Sequence, residues 1–250
     1  MTESLNVTTY NIHKGFSHFN LRVALHDLKE QLRLVRPDVL FLQEVLGSHE
    51  GHAARHLNWP PQSQYEFLAT EAYPEFAYGK NAVYPEGHHG NAILSRYPIV
   101  AWENEDVSAH RFENRGILHC EIAVPHWPEN LHCVNVHLGL FAQGRRKQLL
   151  AIRDRIRRMV PENAPLIIAG DFNDWRSEAC SILARELGLS EAFTHGLGSP
   201  ARSFPSHRPM FRLDRIYIRG FKVEHTEVHH GFPWSKISDH AALSATLARA

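Results

Sequence analysis

Short apolar runs alternate along the chain with longer segments that are apolar on one side only. The runs are bounded by turn residues, which is typical of β-strands. Two of them, at 39–42 and 166–169, are apolar at consecutive positions and indicate strands covered on both faces. The predicted strands are Leu5–Ile12, Val39–Val45, Asn91–Leu94, Ile117–Val124, Leu131–Leu138, Leu166–Ala169, Arg212–Ile218, Phe221–His229 and Ala241–Leu247.

Two longer segments have the apolar spacing of an α-helix. The first stripe is expected to follow an N-cap at Asn20 and to end before Pro37, and the second ends before Pro161. Helices between two-sided strands predict a layered α/β architecture, and because no linker divides the sequence we expect one domain over residues 1–250. The stripes consist of Leu21, Leu25, Leu28, Leu32 and Val35, and of Leu149, Ile152, Ile156 and Met159.

A strand–helix–strand unit occurs twice with the same spacing of polar residues at its strand ends. Asn11 precedes Glu44 by 33 positions in the first unit, and His137 precedes Asp171 by 34 positions in the second. Chance similarity of two such units is one explanation. The other is an internal repeat, in which the two units face each other as two packed sheets. In that case these four side chains converge on one cleft.

Composition limits the class of protein. The chain has 250 residues, with 27 Lys+Arg against 27 Asp+Glu, and 43% of its residues are hydrophobic. This is a folded globular composition, and its zero net charge argues against a protein that coats nucleic acid. We expect no transmembrane segment, because no apolar run approaches the roughly 18–20 residues of a membrane span. The absence of a secretory signal and the presence of only three cysteines predict a cytoplasmic monomer with reduced thiols.

Acidic and imidazole side chains at strand ends are the candidate chemistry. Glu44 ends an apolar strand, where a lone carboxylate rarely remains without a cation. Asp171 and Asn173 stand two apart after a glycine, a pattern that is also ordinary in turns. Asp214 lies in mid-strand and His240 precedes the last strand. Together Asp214 and His240 fit the oriented imidazole of acid–base catalysis.

Eight short motifs occur in one order along the chain and together resemble the endonuclease/exonuclease/phosphatase family. That family includes pancreatic deoxyribonuclease, abasic-site endonucleases, neutral sphingomyelinases and inositol polyphosphate 5-phosphatases. The resemblance extends from Leu5 to Leu247 and implies a four-layer α/β/β/α sandwich with two packed mixed sheets. The motifs are Thr9-Tyr10-Asn11, Gln43-Glu44, Gly90-Asn91-Ala92-Ile93-Leu94-Ser95-Arg96, Asn114-Arg115-Gly116, Asn135-Val136-His137-Leu138, Gly170-Asp171-Phe172-Asn173, Leu213-Asp214-Arg215-Ile216 and Ser238-Asp239-His240.

The resemblance implies a metal site and a catalytic histidine. Glu44 would be the main magnesium ligand with Asn11 beside it, and Asp239 would lie near the metal, for a second ion if there are two. His240 would be the catalytic histidine, oriented by Asp214. Oxygen ligands of this kind suit Mg²⁺ or Mn²⁺.

The resemblance also implies residues around the phosphate. Asp171 and Asn173 would position the attacking water and hold phosphate oxygens. His137 matches a second active-site histidine of the deoxyribonuclease branch, and Asn91 and Arg115 match positions near the scissile phosphate. Whether the Asp171 carboxylate or the His240 ring accepts the proton of water stays open.

These residues predict a metal-dependent hydrolase that cleaves phosphodiester bonds, as a nuclease or a small phosphodiesterase. The alternative on the same fold is a lipid-headgroup phosphodiesterase or a phosphomonoesterase, so the phosphate-ester substrate is either nucleic acid or a lipid headgroup. The sequence shows no exposed apolar device of the kind that lipid enzymes carry. A catalytically silent interaction module is disfavoured, because Glu44, Asp171 and His240 are all present.

Three further features have competing interpretations. His49, His52 and His56 have the spacing of a zinc site on one helical face, but a solvated loop is the better interpretation. The second helix carries seven basic residues between positions 145 and 158, which we interpret mostly as a solvated face. Phe232 and Trp234 precede the His240 motif, and we predict substrate contact for them, with internal packing as the alternative.

Overall fold

The computed structural model describes residues 4–17, 22–175 and 178–250. Within these ranges twelve strands form two mixed sheets of six strands each. The strands are β1 (Ser4–Asn11), β2 (Val39–His49), β3 (Glu75–Tyr84), β4 (Gly87–Ser95), β5 (Ile99–Asp106), β6 (Gly116–Ile122), β7 (Leu131–His137), β8 (Leu166–Asp171), β9 (Ser190–Glu191), β10 (Asp214–Arg219), β11 (Phe221–His229) and β12 (Ala242–Arg249). The helices are α1 (Leu25–Val35), α2 (Glu50–Arg55), α3 (Gln64–Ala69), α4 (Ala142–Met159), α5 (Arg185–Leu187) and α6 (Ala192–Leu197).

The two sheets are built on the same plan. The first has the order β11-β12-β1-β2-β4-β3, and the second has the order β5-β6-β7-β8-β10-β9. Each contains one parallel pair joined through a helix, β1 with β2 through α1 and β7 with β8 through α4. The remaining pairs between neighbouring strands are antiparallel. The two strand–helix–strand units predicted from the sequence are therefore present, one in each sheet.

Three apolar cores stack to give the predicted α/β/β/α sandwich. Val39 and Phe41 of β2 point into the core between the sheets. Leu40 and Leu42 of the same strand point the other way, into the core under α1 and α3. A third core lies between the second sheet and α4. Alternate residues of one strand thus serve different cores, which explains why the central strands are apolar at consecutive positions. None of the helices in the described ranges is both long and apolar enough to cross a membrane.

A buried polar bridge joins the two sheets. The Nε2 atom of Gln43 donates to Oδ1 of Asn135 across the sheet interface at 2.8 Å. The Nδ2 atom of Asn135 in turn donates to the carbonyl oxygens of Leu42 and Ala92, at 2.9 and 2.8 Å. Buried amides are tolerated because they are hydrogen-bonded in this way. Gln43 directly precedes Glu44, so the bridge lies beneath the strand ends that carry the candidate chemistry.

The structure corrects several predicted boundaries. Helix α1 begins at Leu25, with Ala24 at its N-cap position and no side-chain cap, and the predicted cap Asn20 lies outside the described residues, as does Leu21. Strands β3, β5 and β9 were not predicted from the pattern. The segment expected to be a solvated loop after Glu44 continues β2 and then forms α2.

Two of the basic residues of α4 are buried, so the prediction of a solvated face is wrong for them. Arg155 lies against β5 and contacts the carboxylates of Glu103 and Glu105 at 2.8 and 2.7 Å. Arg145 donates to the carbonyl oxygen of Leu140 at 2.6 Å. The planar guanidinium makes several hydrogen bonds at once, which allows burial where a lysine would be left with fewer partners.

Candidate active site

The four polar residues predicted at strand ends meet at one edge of the sandwich, although Glu44 lies inside β2 and the other three end their strands. The Nδ2 atom of Asn11 lies 3.3 Å from Oε1 of Glu44 and 3.1 Å from Oδ2 of Asp171. The Nε2 atom of His137 lies 3.5 Å from the same Asp171 oxygen. Asp171 belongs to the second sheet and Asn11 to the first, so the convergence predicted from the repeated spacing is confirmed.

Unusual backbone conformations position these side chains. Glu44 has φ 55° and lies at a register shift of β2 against β4, and Asn173 has φ 46°. Positive φ is uncommon for residues with a Cβ atom and concentrates at functional sites. Gly170, before Asp171, has φ 145°, and a Cβ atom there would lie 1.9 Å from the carbonyl oxygen of Val136. Only glycine fits that position, which explains the glycine of the Asp171 motif.

A buried imidazole is held between two carboxylates at the centre of the site. The Nδ1 atom of His240 lies 2.8 Å from Oδ2 of Asp214, and its Nε2 atom lies 3.8 Å from Oδ2 of Asp171. The ring of Phe204 covers the imidazole at a centroid distance of 5.1 Å. All three titratable side chains are buried, and the imidazole is therefore fixed in orientation by Asp214.

Burial and charge give the two histidines different protonation. Burial alone lowers the pKa of His240, but the carboxylates of Asp214 and Asp171 outweigh it and raise that pKa to about 10. Burial, with Arg115 adding to it, lowers the pKa of His137 well below its ordinary value. Burial raises the pKa of Asp171 to about 6, against the opposing charge of His240. A cationic and a neutral imidazole thus face the same carboxylate.

These groups open into a cavity of about 340 Å³. Its lining combines the carboxylates of Glu44 and Asp171, the basic side chains of Lys14 and Arg115, and several apolar side chains. The lining residues are Lys14, Glu44, His89, Arg115, His137, Leu140, Asp171, Asn173, Trp175, Phe204, Leu213 and His240. Anionic and cationic groups in one cleft suit a ligand that is itself anionic and is bound with a cation.

Six lining residues were not predicted as site residues from the sequence, namely Lys14, His89, Leu140, Trp175, Phe204 and Leu213. Lys14 and Trp175 each stand close to a recognised motif, three and two residues after Asn11 and Asn173, so proximity to the motif was an available signal. The same signal was available for His89, which directly precedes the Gly90 motif, for Leu140, three residues after His137, and for Leu213, which belongs to the Asp214 motif. Phe204 reaches the cavity from a segment whose local pattern carries no chemistry.

Four predicted residues are near the site without lining the cavity, namely Asp214, described above, and Asn91, Asp239 and Asn11. Asn91 is buried, and its Nδ2 atom donates to the carbonyl oxygen of Gly116, next to Arg115, at 3.3 Å. The Ser238 hydroxyl donates to the carbonyl oxygen of Asn11 at 2.7 Å, and its oxygen lies 3.4 Å from a carboxylate oxygen of Asp239. Asp239 and Asn11 are therefore neighbours through one serine.

The two aromatic residues predicted to contact substrate lie elsewhere. Trp234 is 7% exposed and packs against Tyr10 and His229, with ring centroids 5.6 and 4.9 Å apart, in the core under α1. The prediction of substrate contact for Trp234 is wrong because the ring fills that core. Phe232 is 80% exposed but is absent from the cavity lining, and its ring lies 5.5 Å from the Nζ atom of Lys236.

The donor set at the strand ends fits a hard divalent cation. Two carboxylates, Glu44 and Asp171, share the single neutral amide of Asn11, and a cation would neutralise their charge where the amide cannot. The Oδ1 atom of Asn11 accepts from the peptide N–H of His13 and keeps a second lone pair. Carboxylate and amide oxygens are ligands that Mg²⁺ and Mn²⁺ prefer. The donor atoms of Asp171, Asp214 and His240 also lie within 4.8 Å of one another.

The histidines at the end of β2 and in the segment after it do not form a metal-binding site. The Nδ1 atom of His49 accepts the peptide N–H of His52 and caps α2. The rings of His52 and His56 pack on Phe16. In the part of the chain that the structure describes, the nitrogens of His49, His52 and His56 do not come together within 4.8 Å of one another. The zinc alternative therefore has no preformed site.

Comparison with known proteins identifies the family. Residues 8–240 match the Endonuclease/Exonuclease/phosphatase family. The chain belongs to this family. It is 47% identical over 244 residues to the Escherichia coli (strain K12) protein YbhP, and the match covers 98% of this chain and 96% of YbhP. A UPF0294 protein of Vibrio cholerae is 34% identical over 121 residues, which is 46% of this chain and 37% of that protein.

Solved structures share the fold at lower sequence identity. The endonuclease/exonuclease/phosphatase of Beutenbergia cavernae has a TM-score of 0.77 and 22% identity, covering 99% of this chain and 72% of that one. TDP2 of D. rerio, solved with a single-strand DNA product, has a TM-score of 0.73 and 20% identity, covering 98% of each chain. Family membership and the site geometry together support a phosphoric ester hydrolase.

Proposed function

We propose that this protein is a Mg²⁺- or Mn²⁺-dependent hydrolase that cleaves phosphodiester bonds. The observation that carries the proposal is the buried Asp214–His240 pair, which faces Asp171 in a cavity that also contains Lys14 and Arg115. A phosphodiester is anionic, so its hydrolysis needs cationic groups and hydrogen-bond donors where charge develops. The cavity supplies both next to a fixed imidazole.

Glu44, Asn11 and Asp239 are the residues proposed to hold the cation, with one or two ions bound. A divalent cation bound there would supply charge neutralisation at the phosphate and a more acidic bound water. The Glu44 carboxylate lines the cavity, whereas Asn11 and Asp239 lie behind it and are linked through Ser238. The protein thus presents oxygen donors from β1, from β2 and from the segment before β12.

The remaining residues divide the work of binding and proton transfer. We assign His240 the donation of a hydrogen bond to a phosphate or leaving-group oxygen, because Asp214 occupies its Nδ1 atom and leaves Nε2 toward the cavity. Asp171 and Asn173 are assigned to the attacking water. His137, Arg115 and the buried Asn91 are assigned to the phosphate, Asn91 acting through the backbone beside Arg115.

The apolar residues of the cavity lining favour a diester over a small monoester. Trp175, Phe204, Leu213 and Leu140 line the same cavity as the charged groups. The phosphate of a diester carries two organic groups, and the second one can pack on these side chains, whereas a small monoester has no second group to do so. This apolar lining is the specific observation that favours the diesterase over the phosphomonoesterase.

The test is a substrate screen of the purified protein with Mg²⁺, with Mn²⁺ and with excess chelator. The panel is a soluble aryl phosphodiester, DNA, RNA, sphingomyelin, glycerophospholipids and inositol phosphates. We expect hydrolysis of a diester that is lost on chelation and lost in His240→Ala. The matched control is His26→Ala, which removes an exposed imidazole of α1. Activity that persists in excess chelator, or a preference for monoesters, contradicts the proposal.

A further inference from the structure

Three large apolar side chains stand exposed together at the mouth of the cavity. Phe112, Leu140 and Phe141 are 77%, 61% and 72% exposed, and we call these three residues the apolar rim. They line a second cavity of about 300 Å³, which shares His89, Arg115 and Leu140 with the cavity of the candidate active site. The rim is therefore continuous with that site. It is also an exposed apolar surface of the kind that lipid enzymes carry, which the sequence did not reveal.

Buried and partly buried hydrogen bonds fix the two loops that carry the rim. The Oε2 atom of Glu113 accepts from the peptide N–H of Ala109 and from Nε2 of Gln148, both at 2.8 Å. The Oε1 atom of Gln148 accepts from the peptide N–H of Gly139 at 2.8 Å. The loop before β6 and the loop after β7 are thereby joined to α4. Exposed apolar side chains that are fixed on such a scaffold mark an interaction surface.

Basic residues accompany the rim, Arg111 in direct contact with it and two others a short way along the chain. The guanidinium of Arg111 lies 4.4 Å from the centroid of the Phe112 ring, and Arg146 and Lys147 are exposed in the first turns of α4, just after Phe141. The carboxylate of Glu113, next to Phe112, is occupied by its hydrogen bonds to Ala109 and Gln148. Apolar side chains flanked by basic ones suit a membrane interface, where the apolar groups enter the acyl boundary and the cations meet anionic headgroups.

We propose that the apolar rim docks on a bilayer containing anionic phospholipid, and that the bond cleaved is the phosphodiester of a phospholipid headgroup. The second half rests on the proposed function, and the first half stands without it. Docking through Phe112 and Phe141 brings the adjoining cavity to the depth of the headgroups. The shared Leu140 then lies between the bilayer and the site.

Two observations favour a bilayer over a single-stranded nucleic acid. Leu140 has no ring face on which a base could stack, although it lies at the junction of the two cavities. The chain as a whole has zero formal net charge, whereas tracking a polyanion needs a continuous basic groove. An anionic bilayer requires only a few cations near the apolar groups, and Arg111, Arg146 and Lys147 supply them.

The test is sedimentation of the full-length protein with vesicles. One set is pure phosphatidylcholine, and the other contains equal parts of phosphatidylcholine and phosphatidylglycerol. We expect binding to the anionic vesicles that weakens in high salt. In Phe112→Ser/Phe141→Ser the binding constant should fall by about tenfold or more for each ring removed. The matched control is Leu34→Ser, which removes an equally exposed residue, 76% accessible, from α1. It should bind as the wild type does.

Further variants and ligands distinguish failure of the docking proposal from failure of the proposed function. His240→Ala should bind vesicles as the wild type does, so docking is measured apart from catalysis. If vesicles are bound through the rim but no diester is hydrolysed, the proposed function and the phospholipid substrate both fail, whereas the docking proposal stands. Absence of vesicle binding, or equal binding by the double variant, overturns the docking proposal, as does rim-dependent binding of single-stranded DNA without vesicle binding. Thermal melting checks folding, and the single variant Phe141→Ser serves if the double variant melts early.

Discussion

The Nδ1 atom of His240 and the Oδ2 atom of Asp214 lie 2.8 Å apart, and both side chains are buried. The second carboxylate oxygen of Asp214 is buried and has no hydrogen-bond partner in the described part of the chain. Water therefore does not compete for this carboxylate, and the imidazole is its partner. A buried carboxylate paired in this way fixes both the tautomer and the direction of the ring.

This pair predicts how the two residues respond to substitution. His240→Gln should lower the turnover number by about 10²–10⁴ because it removes the imidazole and keeps a hydrogen-bond donor for Asp214. Asp214→Asn should lower it less, since the ring remains but loses its anchor. His240→Ala should also destabilise the fold, by about 3 kcal/mol, because Asp214 is left buried and unpaired. Initial rates on a soluble diester and urea unfolding measure both effects. Equal stability of the Ala and Gln variants would contradict the pairing.

Metal binding should depend on Glu44. We expect Glu44→Gln to weaken Mn²⁺ binding by more than about tenfold, because it removes a charged oxygen ligand at the cavity. The control is Glu50→Gln, which neutralises an exposed carboxylate of α2. Titration followed by the electron paramagnetic resonance of free Mn²⁺ reads binding directly, with no need for activity. The same affinity in Glu44→Gln and in the wild type would remove Glu44 from the metal site.

Gly170 should not accept a side chain. The alanine Cβ atom would lie 1.9 Å from the carbonyl oxygen of Val136 in the neighbouring strand, at φ 145°. Gly170→Ala should therefore lower the free energy of unfolding by about 3 kcal/mol or more. Gly196→Ala is the matched control, since nothing lies within 4 Å of a Cβ atom there. Its expected effect is a small stabilisation of α6. Chemical unfolding of the two variants beside the wild type decides the matter.

Acid should destabilise the protein through His119. Burial, with Arg155 and His132 adding to it, lowers the pKa of His119 from 6.5 to about 3. The unfolded chain therefore binds this proton more readily than the folded one. As the pH falls below about 6.5, stability decreases by up to about 1.4 kcal/mol per pH unit until the folded pKa is reached. His119→Gln should give a shallower loss of unfolding free energy between about pH 6.5 and 4. An unchanged slope would show that the ring is not buried neutral.

The sequence predicted the site well where its residues directly follow the apolar runs of central strands. Asn11, Glu44, His137 and Asp171 follow apolar runs, and parallel pairing within each unit brings consecutive strand ends to one edge. Strands at the sheet edges escaped prediction for the opposite reason. Strand β5 is largely exposed and carries acids, and its role becomes visible only when Arg155 reaches it from α4.

Aromatic residues show what local sequence leaves undetermined. Trp234 and Trp175 each lie within six residues of a recognised motif residue, yet one fills a core and the other lines the cavity. The difference comes from contacts distant in sequence: Trp234 packs on Tyr10 of β1, whereas Trp175 meets Phe211 at a centroid distance of 4.9 Å. Neither contact is visible in the pattern around the tryptophan itself.

The amide bridge between Gln43 and Asn135 limits how far the two sheets can move relative to each other at the cleft. The bridge links the two sheets at positions one residue before Glu44 and two residues before His137 in the sequence. Sliding one sheet over the other would break three buried hydrogen bonds at once. These bonds therefore restrain the relative position of the two sheets beneath the cleft. Divergence toward new substrates must then occur in the surrounding loops, while the spacing of the reacting groups is inherited unchanged.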